Sequence, residues 1–521
     1  MPEKTLTTIT PRKYQQDIYD NCKDKNCLVI IPTGVGKTLI ALMLTIHRQK
    51  KHPGTKTLFL APTRPLAEQH LAYFQKHLPE LFAELTLFTG KIQANERKKL
   101  WEKADIVFST PQCIGNDIKN NLYSLEDVSL LIEDECHRCL KNYAYTHIAN
   151  EYHKQSKIPQ ILGLTASPGT DKETIRQIAE TLKIETIELR TRESEDVKEY
   201  LQELEFQPIR LEFPKEIKEI TTLIKKIYER KIQELQNRRL LLEPPTKTNI
   251  IKLQGRLMST INSGNKSFQF LIGVSVCAQA IKISHLIELL ETQTLYSSQQ
   301  YVKSIFEQAK QNKSKAVQRI IKDPDFNLAY IKLNELIAKN LEHPKIFELI
   351  SLIQDSIKEN PKNKTIVFTQ YRDTVTKIIQ ELNKIQGINA KSFVGQAKKQ
   401  GTGLSQKEQQ QIMNEFREGE INIIVATSIA EEGLDIPEVN SVIFYEPIPS
   451  AIRRIQRAGR TARLMKGKLI ILITTDTLDE IFYYTSISKE KRMHKAIESI
   501  KKDLDEGKSM KPKKSPQKTL F

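Results

Sequence analysis

The chain has 521 residues, of which 39% are hydrophobic and 27% are charged, and its formal net charge is +17. A single hydrophobic core rarely serves so long a chain, so a one-domain protein is excluded and two to four domains are expected. The positive charge predicts a polyanionic partner and favours nucleic acid, although a lysine-rich surface that serves only solubility remains an alternative.

The sequence also argues against a secreted or membrane protein. No apolar run approaches the ~18 residues of a membrane span, and the first residues lack an apolar signal region. Six cysteines in so long a chain do not form a disulfide framework. Cys136 and Cys139 have CxxC spacing, but no second pair completes a zinc site, so zinc is disfavoured. We predict a cytoplasmic protein without a membrane partner.

The first two hundred residues alternate short β-rich runs with longer mixed segments. The β-rich runs are residues 27–31, 57–60, 106–108, 130–132 and 161–164. This alternation predicts a parallel, doubly wound α/β domain, which we assign to residues 1–205. Ligands of such sheets bind at the carboxyl ends of the strands, so the polar clusters that follow the strands are candidate site residues.

The first strand leads into a glycine-rich loop whose backbone amides can surround phosphates. Lys37 would neutralise the β- and γ-phosphate oxygens, and Thr38 would bind Mg²⁺. A strict P-loop has glycine where this chain has Ile31, but Gly34 and Gly36 supply the permissive backbone. The predicted nucleotide-binding residues of the loop are Thr33, Gly34, Val35, Gly36, Lys37 and Thr38.

About a dozen residues before this strand lies a second candidate nucleotide contact, formed by Arg12 and Gln15. A glutamine amide can form two hydrogen bonds with an adenine edge. The start of an ordinary surface helix is the alternative. The position just before a P-loop favours the adenine-binding interpretation.

The segment 130–137 is an apolar run that ends in two adjacent carboxylates. At the carboxyl edge of a sheet, Asp134 could hold Mg²⁺ and Glu135 could polarise a water that attacks a phosphate. Downstream, the hydroxyls of Thr165 and Ser167 could bond His137 and couple the nucleotide state to the other domain. Together with the P-loop, this pair predicts hydrolysis of ATP with Mg²⁺ as cofactor.

Other strand ends carry groups suited to a nucleic-acid backbone. Arg64 follows the second strand, and Thr110 and Gln112 follow the third. Hydroxyls, a guanidinium and loop amides can contact sugar and phosphate without reading bases. Ordinary capping of the following helices is the alternative.

The character of the chain changes over residues 206–345, where apolar residues recur at helical spacing among many lysines and glutamates. We predict an all-helical insertion there. Strand-like runs return at 365–368, 390–393, 421–425, 441–445 and 469–473 and predict a second α/β domain over residues 346–495. The remaining residues, 496–521, are predicted to form a basic, disordered tail.

The second α/β domain contains Gln456, Arg460 and Arg463, which fall on one face of a helix. A P-loop ATPase usually needs an arginine to stabilise charge on the γ-phosphate. We therefore predict Arg460 and Arg463 as catalytic arginines supplied from the opposite domain, with Gln456 near the γ-phosphate or the water.

Taken in order, Gln15, GVGKT, PTRPL, TPQ, DECH, TASPG, VFTQYRDT, ATSIAEEGLDIP and QRAGRTAR resemble the motifs of superfamily 2 helicases. Segments 163–169, 367–374, 393–397 and 403–408 are similar to those of archaeal Hef and the Fanconi anaemia M helicases. The resemblance implies two RecA-like domains and a helical insertion that engages branched DNA. It further implies that Thr427 and Gly433 lie near the nucleic acid or the interdomain cleft and that Asp435 approaches the ATP ribose. We also predict Gln370, Gly395 and Thr427 as nucleic-acid contacts.

The chain departs from this family in two ways. Archaeal Hef typically continues into a nuclease domain, and no acid-rich nuclease motif follows the arginine segment here. The usual Thr-Gly-Arg of the last motif is Thr461-Ala462-Arg463, which keeps the arginine spacing. We therefore expect no cleavage by this chain and leave open a separate nuclease partner.

These observations predict an ATP-dependent DNA helicase or translocase that acts on forked, branched and single-stranded DNA in fork processing and repair. We expect it in an archaeal cytoplasm, associated with the nucleoid. A tail peptide at 517–521 partly resembles a ligand of the sliding clamp. The alternatives are a duplex-RNA-stimulated ATPase of the antiviral-sensor and Dicer type, and a non-catalytic scaffold switched by ATP.

Overall fold

A computed structural model defines most of the chain. It describes residues 9–78, 82–169, 171–200, 204–265, 267–312, 314–395, 403–427, 439–448, 467–508 and 510.

Within these residues the strands form two sheets in which all neighbouring strands run parallel. The strands of the first sheet are β1 (Cys27–Ile30), β2 (Lys56–Leu60), β3 (Leu85–Phe88), β4 (Ile106–Ser109), β5 (Val128–Asp134), β6 (Ile161–Thr165) and β7 (Thr186–Leu189). Their order is β3-β4-β2-β5-β6-β1-β7.

The second sheet has the order β10-β11-β9-β12-β13-β8. Its strands are β8 (Leu204–Leu211), β9 (Thr365–Phe368), β10 (Ala390–Phe393), β11 (Ile423–Ala426), β12 (Ser441–Phe444) and β13 (Gly467–Thr474). The predicted fold class, two parallel-sheet domains with a helical domain between them, is confirmed.

The helices cover both sheets and build the domain between them. Those before β8 are α1 (Lys13–Cys22), α2 (Lys37–Lys51), α3 (Arg64–His77), α4 (Ala94–Lys103), α5 (Pro111–Lys119), α6 (Ala144–Gln155), α7 (Lys172–Thr181) and α8 (Glu195–Lys198). Those of the helical domain are α9 (Lys215–Asn237), α10 (Lys247–Asn262), α11 (Phe268–Thr292), α12 (Leu295–Lys310), α13 (Lys315–Ile321) and α14 (Pro324–Ala338). Those of the second α/β domain are α15 (Pro344–Glu359), α16 (Arg372–Leu382), α17 (Gln406–Glu418) and α18 (Leu478–Asp505).

The strand β5 shows why strands of the first sheet appear in the sequence as apolar runs. All seven of its residues are buried, because helices cover both faces of a parallel sheet. Leu131 packs into the core on one face and Ile132 into the core on the other. The strand thus carries Asp134, and Glu135 directly after it, to the centre of the carboxyl edge.

The predicted start of the helical insertion at residue 206 is wrong, because β8 pairs with β13 along its whole length. This segment alternates polar and apolar residues and includes Pro208, which lacks a backbone donor. Proline is tolerated here because β8 is an edge strand. The first strand of the second sheet, β8, therefore precedes the helical domain in the chain, and the helical domain is inserted between β8 and β9.

The predicted disordered tail is wrong for residues 496–505, which continue α18. Met493, Ile497 and Ile500 lie on one face of this helix and are buried in a core of the first sheet. Lys172 and Arg176 of α7 pair with Asp503 at 2.8 and 2.7 Å. In the sequence, abundant lysines separate the residues of this apolar face, which made the segment look like a basic tail. The helix α18 joins the second α/β domain to the first. Residues 511–521, with the clamp-like peptide, lie outside the described residues.

The helix α11 has the length and apolar composition of a membrane span, unlike any other helix in the described ranges. The expectation that no apolar run approaches that length is therefore wrong for this segment. Here α11 packs against α9 and α10 and contributes to two helical cores. Core helices of soluble proteins pass the same test of length and composition.

Polar contacts tie the helical domain to the second sheet. The Gln293 side-chain oxygen accepts hydrogen bonds from Thr369 at 3.2 Å and from Thr374 at 2.8 Å. The Tyr371 hydroxyl donates to Glu288 at 2.8 Å. Because these partners are buried or half-buried, the contacts fix the orientation of the helical domain on the second sheet.

Candidate active site at the first sheet

The glycine-rich loop between β1 and α2 needs glycine at two positions. Gly34 and Gly36 have φ values of 85° and 88°, a region that side chains rarely adopt. A Cβ atom on Gly36 would also lie 2.3 Å from the Gln15 side-chain nitrogen. The loop therefore presents bare backbone, and α2 begins directly after it at Lys37. Backbone amides at a helix N-terminus form a ready site for an anion.

Lys37 points its charge into this loop region. Its ammonium nitrogen is buried and has no hydrogen-bond partner within the described part of the chain. The closest carboxylate oxygen of Glu135 is 3.9 Å away. A buried ammonium without hydrogen bonds is costly, so this arrangement fits a phosphate group that would supply the missing acceptors.

Gln15 holds the loop in place. Its side-chain nitrogen donates to the Val35 carbonyl at 3.1 Å, and its side-chain oxygen accepts from the Arg12 amide at 2.9 Å. Tyr14 also donates from its hydroxyl to the Val35 carbonyl. The Arg12 guanidinium lies 4.7 Å above the Tyr200 ring. The predicted adenine contacts therefore lie beside the loop, and the adenine-binding roles of Arg12 and Gln15 stay a prediction.

Asp134 ends β5, and Glu135 follows it directly with its carboxylate 3.9 Å from the Lys37 ammonium. Glu135 has a φ of 53°, so the chain turns sharply there and directs its side chain toward Lys37. Burial alone would raise the Glu135 pKa, but the Lys37 ammonium and a hydrogen bond from His137 outweigh burial and lower it. Glu135 is therefore a carboxylate at neutral pH, as a residue that polarises water must be.

Of the two hydroxyls predicted to bond His137, only that of Thr165 does so; the prediction is wrong for Ser167, whose buried hydroxyl has no hydrogen-bond partner in the described part of the chain. The His137 Nδ1 atom lies 3.3 Å from Glu135 and 3.2 Å from the Thr165 hydroxyl. The Thr165 hydroxyl in turn contacts the Ser167 backbone, accepting from its amide at 3.1 Å. A chain of contacts thus runs from the carboxylate at β5 to the loop after β6. That these contacts couple the nucleotide state to the second domain stays a prediction.

Comparison with known proteins agrees with this geometry. Residues 12–175 match the model described as "DEAD/DEAH box helicase", and residues 345–465 match "Helicase conserved C-terminal domain". Residues 216–342 match "Putative ATP-dependent RNA helicase, helical bundle". The crystal structure of the Pyrococcus furiosus Hef helicase domain superposes with a TM-score of 0.69 at 42% identity, covering 91% of this chain and 98% of that one.

The chain belongs to the Hef and Fanconi anaemia M family of helicases. Among curated relatives, "Putative ATP-dependent RNA helicase MJ1505" of Methanocaldococcus jannaschii is 37% identical over 95% of this chain and 61% of its own length. "ATP-dependent DNA helicase mph1" of Neurospora crassa is 30% identical over 89% of this chain and 41% of its own length. The chain thus spans from about two fifths to three fifths of these two relatives. The matching helicase domains imply that this Hef-family chain uses ATP.

In this Hef-family chain, the predicted nucleic-acid contacts of the first domain follow strands β2 and β4. Arg64 begins α3 and pairs with Glu68 at 2.7 Å. Thr110 precedes α5, and the exposed Gln112 donates to the Tyr143 hydroxyl at 3.2 Å. Thr110 occupies the N-cap position of α5, but its side chain makes no capping hydrogen bond, and contact with a nucleic-acid backbone stays a prediction for all three residues.

The corresponding residues of the second domain follow β9, β10 and β11. The backbone amide of Gln370 donates to the Glu446 carboxylate at 2.6 Å, and the backbone carbonyl of Gly395 accepts from the Arg372 guanidinium at 2.9 Å. Thr427 is buried at the end of β11. Their nucleic-acid roles stay predictions. The predicted residues Gly433, Asp435, Gln456, Arg460 and Arg463 lie outside the described residues.

Two further Hef-family site residues were missed from the sequence. Tyr145 of α6 donates from its hydroxyl to the backbone carbonyl of Asp134 at 2.6 Å and thereby fixes the end of β5. His70 of α3 contacts the Asp134 carboxylate at 2.9 Å. His70 lies 64 residues before Asp134 and Tyr145 lies 11 residues after it, and no local pattern marks either residue.

Proposed function

We propose that this chain is an ATP-dependent DNA helicase or translocase that acts on forked or branched DNA in replication-fork processing and repair. The observation that carries the proposal is the meeting of Lys37 with Glu135 at one sheet edge, in a Hef-type arrangement of two α/β domains. Residues 1–205, 206–345 and 346–495 remain our proposed division, apart from the corrections at β8 and α18.

The chain's own residues suit ATP with Mg²⁺. Thr38 and Asp134 would hold the cation, which when bound neutralises phosphate charge. Lys37, buried without a hydrogen-bond acceptor in the described ranges, would bind the terminal phosphates. Glu135, ionised, would accept a proton from the attacking water. We assign to Arg460 and Arg463 the stabilisation of charge on the γ-phosphate, with Gln456 beside them and Asp435 at the ribose.

One surface of the insertion suits a phosphate backbone. An open groove between α9 and α14 is lined by Lys215, Lys218 and Lys226, together with Lys332, which pairs with Glu219 at 2.7 Å. Phosphate contacts of this kind give affinity without base specificity and make binding strongly dependent on salt. The groove supports a role for the insertion in holding a duplex arm.

The second candidate is a duplex-RNA-stimulated ATPase. The observation that favours it is the RNA helicase description of both the helical-bundle model and the M. jannaschii relative. The DNA helicase description of the Neurospora relative favours the first candidate. A non-catalytic scaffold that ATP binding switches is the third hypothesis, since binding of ATP alone does not require its hydrolysis.

The rate of ATP hydrolysis with different nucleic acids separates these candidates. We expect forked DNA and four-way junctions to stimulate hydrolysis more than single-stranded DNA, and far more than duplex RNA. The measurement is phosphate release by the full chain at fixed salt, because phosphate contacts make rates depend on salt. Lys37→Ala should abolish turnover on every substrate. Stronger stimulation by duplex RNA than by any branched DNA would contradict the proposal.

Three partner assignments accompany the proposal. We propose association with chromosomal DNA, contact of the 517–521 peptide with a sliding clamp, and a separate nuclease that cleaves what this chain remodels. The clamp assignment has a simple check. Deleting residues 517–521 should abolish clamp binding without changing the ATPase rate.

A further inference from the structure

His70 lies between two elements of the ATP site without belonging to either. It is on α3, and its side chain is only 9% exposed. Its ring packs on Phe59 of β2, with ring centres 4.4 Å apart. The residue is therefore held in one place by packing before any ligand arrives.

Both ring nitrogens face the residues that we assign to the cation. Nε2 lies 2.9 Å from the Asp134 carboxylate, and Nδ1 lies 3.4 Å from the Thr38 hydroxyl. Thr38 belongs to the first turn of α2, whereas Asp134 ends β5. His70 is thus the side chain that bridges these two elements.

One tautomer satisfies both contacts. With its proton on Nε2, a neutral imidazole donates to Asp134 through Nε2 and accepts the Thr38 hydroxyl proton at Nδ1. Thr38 then keeps its oxygen lone pairs free of a donor, and Asp134 keeps its second oxygen, Oδ1, for another partner. Both groups are left with the oxygen atoms that Mg²⁺ requires.

We propose that His70 is a positioning residue of the Mg²⁺ site, which aligns Thr38 and Asp134 by hydrogen bonds to both. The inference rests on the proposed ATP–Mg²⁺ site. Groups that hold metal ligands from outside the coordination sphere commonly change metal affinity 10–100-fold when they are replaced. His70 itself would touch neither the cation nor the nucleotide.

A purely structural role would depend on packing rather than on the ring nitrogens. Replacement with phenylalanine separates the two, because Phe keeps an aromatic ring against Phe59 and removes both polar atoms. Replacement with leucine provides a smaller apolar variant if the larger ring does not fit beside Asp134. Replacement with glutamine restores a donor that can reach a carboxylate.

The experiment measures binding of fluorescent ADP to the full chain across a titration of Mg²⁺, and binding of Mn²⁺ by electron paramagnetic resonance. For His70→Phe and His70→Leu we expect cation affinity to fall by roughly 10–100-fold, while ADP affinity without cation stays unchanged. His70→Gln should recover part of the loss. His77→Phe is the matched control, since His77 is buried on the same helix against Tyr73, and should behave as wild type.

Three outcomes would overturn the inference. His70→Phe and His70→Leu could both keep the wild-type cation affinity. They could instead lose ADP affinity equally with and without the cation, which would identify a structural residue. Lastly, wild-type protein could bind ADP without any response to Mg²⁺, and that result would contradict the proposed cofactor as well.

Discussion

Replacement of Glu135 with glutamine should stop ATP hydrolysis and leave ATP binding intact. The amide has the volume of the carboxylate, but it cannot accept a proton from the attacking water. General bases contribute roughly 10²–10⁴-fold to rates, so we expect a loss of at least about 100-fold in kcat. The measurements are single-turnover hydrolysis and equilibrium binding of a fluorescent ATP analogue.

Glu133→Gln is the matched control, two residues earlier on β5. Burial raises the pKa of the Glu133 carboxyl well above its ordinary value, which favours the uncharged acid, and the amide of glutamine is a close substitute for that form. We expect Glu133→Gln to hydrolyse ATP at the wild-type rate. A Glu135→Gln variant within tenfold of wild type would contradict the assigned base. Full function of that variant in cells would favour the ATP-switched scaffold.

Replacement of Lys345 with methionine should cause the largest loss of stability. Lys345, the second residue of α15, is fully buried, pairs with the fully buried Asp479 of α18, and donates to the Thr292 carbonyl at 3.0 Å. Removing one member of a buried ion pair leaves the other charge uncompensated and typically costs 3–5 kcal/mol. We expect a decrease of about 4 kcal/mol in the free energy of unfolding, measured by urea denaturation at pH 8.

The decrease in the free energy of unfolding caused by Lys345→Met should become smaller as the pH falls. Burial raises the pKa of Asp479 to about 6 even though Lys345 opposes the shift, and without Lys345 it should rise further. A carboxyl whose folded pKa exceeds its unfolded value binds more protons when folded, so acidification stabilises the fold. The Lys345→Met variant should therefore lose less stability at pH 5 than at pH 8.

An exposed pair on the same helix gives the control. Lys358 and Asp355 of α15 are 3.8 Å apart with side chains 77% and 71% exposed. Such pairs contribute about 0–1 kcal/mol, so Lys358→Met should have little effect. The double variant Lys345→Met with Asp479→Leu should recover most of the stability, because both buried charges are gone. A single Lys345→Met variant as stable as Lys358→Met would contradict the account.

Features that depend on neighbouring residues could be predicted from the sequence. The predicted runs correspond to every described strand except β3, β7 and β8, and the P-loop is a contiguous pattern, so these positions followed from local composition. The placement of the P-loop and the carboxylates after β5 at one site also followed, because carboxyl ends of parallel strands share one edge.

Features that depend on tertiary packing could not be predicted. The strand β8 needs β13 as its partner, and its proline reads as a strand breaker until its edge position is known. The end of α18 reads as a basic tail because its buried face is defined by α7. His70 has no sequence signal, since it meets Thr38 and Asp134 only in the folded chain.

The most direct test of the central claim is movement of a DNA fork by the purified chain, followed by release of a fluorescently labelled strand. We predict release that requires hydrolysable ATP, fails with a non-hydrolysable analogue, and is lost in Glu135→Gln even though that variant still binds the fork. Release from duplex RNA in preference to the fork, or fork release that persists without hydrolysis, would contradict the account.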